Sequence, residues 1–421
     1  MKFLTSFPDS ERRLSCLKAL NCTSKYDYFK KDITDAGIID SLFEIIQQQK
    51  DISLEIREYC FNILSNVCKN FRPAQKEFRR KSGVELIKES LASNLKGESG
   101  NTSTYFLALN DCLQNAILPN KRSELHFIEI GGVYTLLDIL EACQDMLTRV
   151  FLSTLCTLVE NQKAIKMYVE WDSARTTINA TQLMIRLYTK EDLRFGVQYE
   201  NGVLKNSDWP LNPKEDKSKS QSIQNAMNTA SKENTVNSLT LSKLSSVHVV
   251  GTNGSVGSDS KKKFDEKVKD ASEVQKVDES GCYTESYIYK RMQEEANKYD
   301  LRATIFAVLY RTGFDLHELL PDEKQKLDVI QIYPLLKNGE IWRKNKEYLD
   351  STNNKPTSDD KHWMETCIEE AKEQAEAVIY NQKLFAQDVK NKANDELNTV
   401  YTSIRLKNQT KGARPTRKWG K

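Results

Sequence analysis

The sequence predicts an all-α protein, most of it a stack of helical repeats followed by a second helical region. Three patterns carry this expectation. A glycine precedes a short apolar run three times: Gly37 before "IIDSLFEII", Gly83 before "VELIKESL" and Gly132 before "VYTLLDIL", at spacings of 46 and 49 residues. In the third run Val133, Leu136, Leu137 and Leu140 fall at i, i+3, i+4 and i+7, one face of a helix. Longer stripes lie between the runs. Cys60, Leu64 and Cys68, then Leu109, Leu113 and Ile117, then Phe151, Leu155 and Val159 mark three copies, with equivalent positions 49 and 42 residues apart.

A period of this length, built from two or three helices, is the mark of armadillo or HEAT arrays. One unit cannot bury its apolar stripe alone, so neighbours must cover it. The glycine lets the chain leave one helix and turn sharply into the next. The stretch "LSNVCKNFRPAQKEFRRKSGVELI" resembles an armadillo repeat. About four units are expected over residues 10–190. The first has a ragged stripe, and the fourth has Ala174 where a glycine is expected; both read as end units.

Beyond the array the composition changes. Residues 191–211 suggest a short hairpin or irregular segment, with Asn201-Gly202 as its turn and Trp209 and Pro210 closing it. Residues 212–282 are rich in Ser, Lys, Asn and Thr, with Phe264 as the one aromatic, and read as a disordered linker. The glycines of "VVGTNGSVGSDSKKK" lack phosphate-loop spacing. Residues 283–350 read as a small helical domain, with one helix ending at Gly313 and another interrupted at Pro334. Residues 357–406 read as one long helix. Its seam runs Met364, Ile368, Ala371, Ala375, Val378, Gln382, Phe385, Val389, Ala393, Leu397, Val400 and Ile404, mostly in heptad-like steps of 3 and 4. Such a seam suits packing on a partner or on its own domain. The tail 407–421 carries Lys407, Lys411, Arg414, Arg417, Lys418 and Lys421 and no acid. It would suit an acidic surface, whether tubulin tails, nucleic acid or anionic lipid, or be a solvated terminus.

Several function classes lose support. The chain has 62 basic and 59 acidic residues, a balance that argues against wholesale nucleic-acid binding. It holds no run of about 18 apolar residues that could span a membrane, and its first residues do not form a secretory signal. The nine cysteines include no C-x-x-C pair and read as reduced, small apolar residues. The histidines His126, His248, His317 and His362 show no metal-ligand spacing. No nucleophile elbow, phosphate loop or kinase set is present, so no catalytic, cofactor-binding or metal residue is assigned.

One polar signal remains. An asparagine recurs late in the long stripes, at Asn21, Asn66 and Asn115, with Thr157 in the fourth copy. Asn66 and Asn115 could hold an extended partner backbone, or bond locally within their unit.

The stretches "ELHFIEIGGVYTLLDILE", "RVFLSTLCTLVENQKAIKMYVEW" and "YDLRATIFAVLYRTGF" resemble the C-terminal half of the cilia- and flagella-associated protein 69 family, over roughly residues 30–200 and 285–405. The resemblance implies a non-enzymatic scaffold of motile cilia and flagella, placed in the axoneme and the cytoplasm. Its partners would be other axonemal proteins of the central apparatus, and its role support of flagellum assembly. Family members are longer, and the long linker departs from their pattern. The alternative is a soluble armadillo-type adaptor for extended peptides. The regular Trp and Asn ladder of such adaptors is missing, since the array has Trp only at 171.

Overall fold

The computed structural model describes residues 10–48, 52–94, 102–143, 145–200, 202–212 and 299–412. The expected linker at 212–282 lies outside these, apart from Asn212. Contacts divide the chain into two units, 1–213 with 300–421 and 214–299; all that follows concerns the first.

The described residues open with α1 (Ser10–Ser24), and a three-helix round then repeats. The rounds are α2 (Asp27–Asp35), α3 (Ile38–Gln48) and α4 (Leu54–Cys68); α5 (Arg72–Arg80), α6 (Gly83–Asn94) and α7 (Thr102–Cys112), which a π-turn at Leu113–Ile117 extends; and α8 (Lys121–Glu129), α9 (Gly132–Ala142) and α10 (Asp145–Leu158). A fourth round opens with α11 (Gln162–Glu170) and α12 (Ala180–Phe195). A short hairpin follows, β1 (Tyr199–Glu200) paired antiparallel with β2 (Val203–Leu204). Then come α13 (Arg302–Thr312), α14 (Pro321–Gln331), α15 (Tyr333–Ser351) and α16 (Ser358–Gly412).

The first helix of each round is nine residues long. Local chemistry starts it. Asn120 accepts from the N–H groups of Arg122 and Ser123 to cap α8, and Asn161 accepts from Lys163 to cap α11. Pro73 sits in the first turn of α5, where its missing N–H costs nothing.

The turn into the second helix differs from the sequence expectation by one residue. The left-handed position is Gly37 (φ 75°), Ser82 (φ 61°) and Gly131 (φ 88°). Gly83 and Gly132 therefore do not make the turn. They are glycines because a ring lies beneath them: a Cβ would stand 2.3 Å from Phe78 at Gly83 and 2.3 Å from Phe127 at Gly132. The fourth round has no such turn. Residues 171–179 form a loop closed by a bridge between Asp172 and Asn179, and Asn179 with Gln182 makes a capping box for α12.

The third helices stack on one another, α1 on α4, α4 on α7 and α7 on α10. Their apolar stripes, with Phe61, Leu64, Leu109, Phe151 and Leu155, are buried. Edge-on aromatic pairs Phe61–Tyr105 and Phe106–Phe151 bridge the joints.

In the fourth round the stack is continued by α13, which packs on α10, α11 and α12. The sequence reading placed this helix in a separate small domain at 283–350. Local periodicity identifies the helix but cannot show which stack covers it. Pro334 likewise begins α15 rather than interrupting a helix. The last helices, α15 and α16, pack closely: a Cβ on Gly339 would stand 2.2 Å from that of Ala371.

Candidate interaction surface and the joint beside it

The third helices share a row of polar side chains that cross from one round to the next. Asn66 donates from its side-chain nitrogen to Asn21 Oδ1 at 3.0 Å and Ser24 Oγ at 3.2 Å. Asn115 donates in the same way to Ser65 Oγ at 2.9 Å. In the next joint Gln114 donates to Thr154 Oγ1 at 2.7 Å, and Thr154 donates to Asn110 Oδ1 at 2.7 Å. Beyond it, Arg311 of α13 pairs with Glu160 at 2.9 Å. The asparagines thus bond between units rather than within one. Thr157 is exposed and donates to its own helix at Ser153; Thr154 occupies the row instead.

The first helices serve the same row from behind. Lys30 donates to the carbonyl of Lys69, and Gln75 donates to those of Cys68 and Asn115. Carbonyls at the ends of α4 and α7, which have no partner within their helix, are satisfied in this way. Sequence reading missed Lys30, Gln75 and Thr154, because their partners lie about one repeat away and no local spacing marks them.

Asp111 stands on the exposed side of α7. Its carboxyl reaches solvent yet is densely surrounded by protein. That desolvation pushes its pKa up to about 6, against the pull of Lys69.

A second polar cluster lies where α12, α13 and α14 meet the hairpin. Arg302, with a fully buried side chain, donates to Asp192 at 3.1 Å, to both oxygens of Asp300 and to the carbonyl of Leu211. Its guanidinium lies over the Phe195 ring, 4.5 Å from the centroid. Lys326 donates to Asp192 and to Tyr199 Oη, and Tyr199 donates to Asp192. Burial pushes the Lys326 ammonium below its ordinary value, although Asp192 pulls it up. Burial alone would raise Asp300, but the Arg302 hydrogen bond and charge bring it below the usual range. Nearby, Glu340 accepts from the backbone N–H groups of Leu211 and Asn212.

An Asp and an Arg that are buried, with a Lys and a Tyr against them, resemble catalytic machinery. Here each charge is spent on another, and the cluster joins the chain at 192–212 to the chain at 300–340.

Of the described cysteines, Cys60, Cys68, Cys112 and Cys367 are buried, while Cys16 and Cys22 are exposed. Burial pushes the thiols of Cys60 and Cys68 up to about 12, which leaves them inert. His126 is held at 2.9 Å from Glu85 of α6. Among the described residues no group of three or more His, Cys, Asp and Glu could hold a metal ion, and no helix is long and apolar enough to cross a membrane. Of the basic tail, Lys407 and Lys411 lie in the last turns of α16; Arg414, Arg417, Lys418 and Lys421 fall outside the described residues.

Comparison with known proteins agrees with this architecture. A family model described as cilia- and flagella-associated protein 69, ARM repeat, matches residues 11–238. Cilia- and flagella-associated protein 69 of Mus musculus is 28% identical over 193 residues, covering 43% of this chain and 20% of the mouse protein. The Homo sapiens protein is 26% identical over 193 residues, with the same shares. The match thus spans a fifth of the length of these relatives. Among solved structures, an engineered protein superposes with a TM-score of 0.36 at 19% identity, over 45% of this chain and 71% of that one, a likeness too weak to bear on the fold. The family match covers more than half of the chain and takes in the helical rounds from α1 to α12, so the chain belongs to the armadillo-repeat family of cilia- and flagella-associated protein 69.

Proposed function

We propose that this chain is a non-enzymatic scaffold of motile cilia and flagella that binds other axonemal proteins, those of the central apparatus included. The single observation that carries the reading is the family match over the stacked rounds. The polar row on the third helices supplies the binding face. Asn66 directs its amide nitrogen at two acceptors of the neighbouring round and Asn115 directs its own at one. A partner backbone would therefore be held through their carbonyl oxygens, as donors to them. The basic tail from Lys407 to Lys421 is assigned to an acidic surface, tubulin being the axonemal example.

Fractionation of ciliated cells tests this. Detergent removes membrane and matrix, and high salt then strips weakly held proteins. The chain is expected to stay with the detergent-extracted axoneme. Release with the cytosol, or absence from cilia, would overturn the reading and favour the soluble adaptor.

A further inference from the structure

The apolar stripe of α16, heptad-like at first sight, repeats every eleven residues. Cys367, Val378, Val389 and Val400 form one series, Ala371, Gln382, Ala393 and Ile404 a second, and a third runs from Met364 to Leu397. Eleven residues over three turns keep a stripe nearly straight, with a slight right-handed drift. The first half of the stripe is covered by its own chain. Met364, Cys367, Ala371 and Ala375 are buried, α16 packs on α15 and β2, and Gln382 accepts from the N–H of Leu204 at 2.8 Å. Beyond Gln382 the same stripe leaves that support. Val389, Leu397, Val400 and Ile404 are about half exposed, at 49%, 54%, 54% and 49%.

We propose that this outer half pairs with the same segment of a second copy of the chain, as an antiparallel two-helix contact centred near Ala393. Three features favour this occupant. The outer stripe continues an interface already formed by the inner one. An eleven-residue repeat stays in register with another eleven-residue repeat, and α16 itself carries one. The flanking charges also complement each other. Lys392 and Glu396 border one side of the stripe, and an antiparallel pair brings that side against its own copy, with Lys392 facing Glu396 twice by symmetry. Ala393 at the centre allows close approach, as Gly339 and Ala371 do within the chain. The pairing does not depend on the ciliary reading.

Sedimentation of the full chain over a wide concentration range tests the proposal. The expected result is a concentration-dependent dimer. Leu397→Glu with Val400→Glu should abolish it while leaving the helical circular dichroism unchanged, since both side chains are exposed. Glu396→Lys should weaken it by about tenfold, and Lys392→Glu added to Glu396→Lys should restore it. A parallel pair would not recover, because it sets the Lys392 side against the opposite one. A monomer at every concentration overturns the proposal and leaves the stripe to another protein's helix. A dimer that survives the double glutamate variant overturns it too, as does failure of the charge swap to restore pairing.

Discussion

Between the first and second rounds, α4 and α7 meet through Phe61 against Tyr105 and through neutral amide and hydroxyl bonds such as Asn115 to Ser65. Where α12, α13 and α14 meet, the chain meets itself around buried Asp192 and Arg302 and partly buried Lys326. Both joints bury one helix on the next, but they fail in different ways. The apolar joint is tolerant: a lost contact costs in proportion to the area or cavity involved. The charged joint is brittle, because removing one partner leaves the others buried and uncompensated. The difference follows from connectivity. In the early rounds few residues separate consecutive helices, which need only stack. At the fourth round, residues 196–301 separate α12 from α13. A returning helix must be told where to dock, and directional ion pairs do that better than a greasy face.

The sharpest way to break this comparison is Arg302→Ala. It should cost about 3–5 kcal/mol, since Asp192 and Asp300 lose their main partner in a buried site. Denaturant unfolding should then split, with α13 to α16 uncoupling before the earlier rounds, as nearest-neighbour stacking allows. A single transition, shifted by less than about 1 kcal/mol, would show that the cluster is not a joint.

Next in size is Gly132→Ala in the apolar part. Here the added methyl meets the Phe127 ring, and the expected cost is about 1–3 kcal/mol from overpacking. The Gly132→Ala, Phe127→Leu double variant should recover part of it. If Gly132→Ala alone is neutral in thermal unfolding, the ring moves freely and the close packing has no energetic role.

Asp111 sharpens the contrast from another side, since it is a carboxylate on α7 beside the neutral amide and hydroxyl row. Its folded pKa of about 6 lies above its ordinary value of 3.8. The folded state therefore binds the proton more tightly, and this carboxyl contributes stability that is lost as pH rises from about 4 to about 6. Asp111→Asn should remove that slope and raise the melting temperature at neutral pH relative to the parent. An unchanged pH profile would mean that Lys69 and solvent already compensate the charge.

What could be read from the sequence divides along the same line. Helical stripes and their period are local patterns, so Val133, Leu136 and Cys60 announced the rounds and their stacking. The hairpin could be seen in Asn201-Gly202 for the same reason. The docking of α13 could not, because Asp192 and Arg302 are 110 residues apart and each alone looks like a surface charge. The asparagines stood out by recurrence, but recurrence could not distinguish a bond to the next round from a bond to a partner. The glycines misled by one position, since Gly37 makes a turn while Gly83 and Gly132 make room for a ring.

That last point yields the smallest prediction, and one with the opposite sign. Ser82 occupies the left-handed turn that Gly37 and Gly131 occupy in the neighbouring rounds. A side chain pays for its Cβ in that conformation, and glycine does not. The unfolded chain, however, gains freedom when serine becomes glycine, which offsets part of the gain. Ser82→Gly should therefore stabilise the protein by a few tenths to about 1 kcal/mol, whereas Gly131→Ser should destabilise it by a similar amount. Paired denaturation curves of the two variants test this. Equal losses in both would mean that the Ser82 hydroxyl contributes more to the turn than its backbone strain costs, and the second round would then differ from its neighbours in chemistry as well as in sequence.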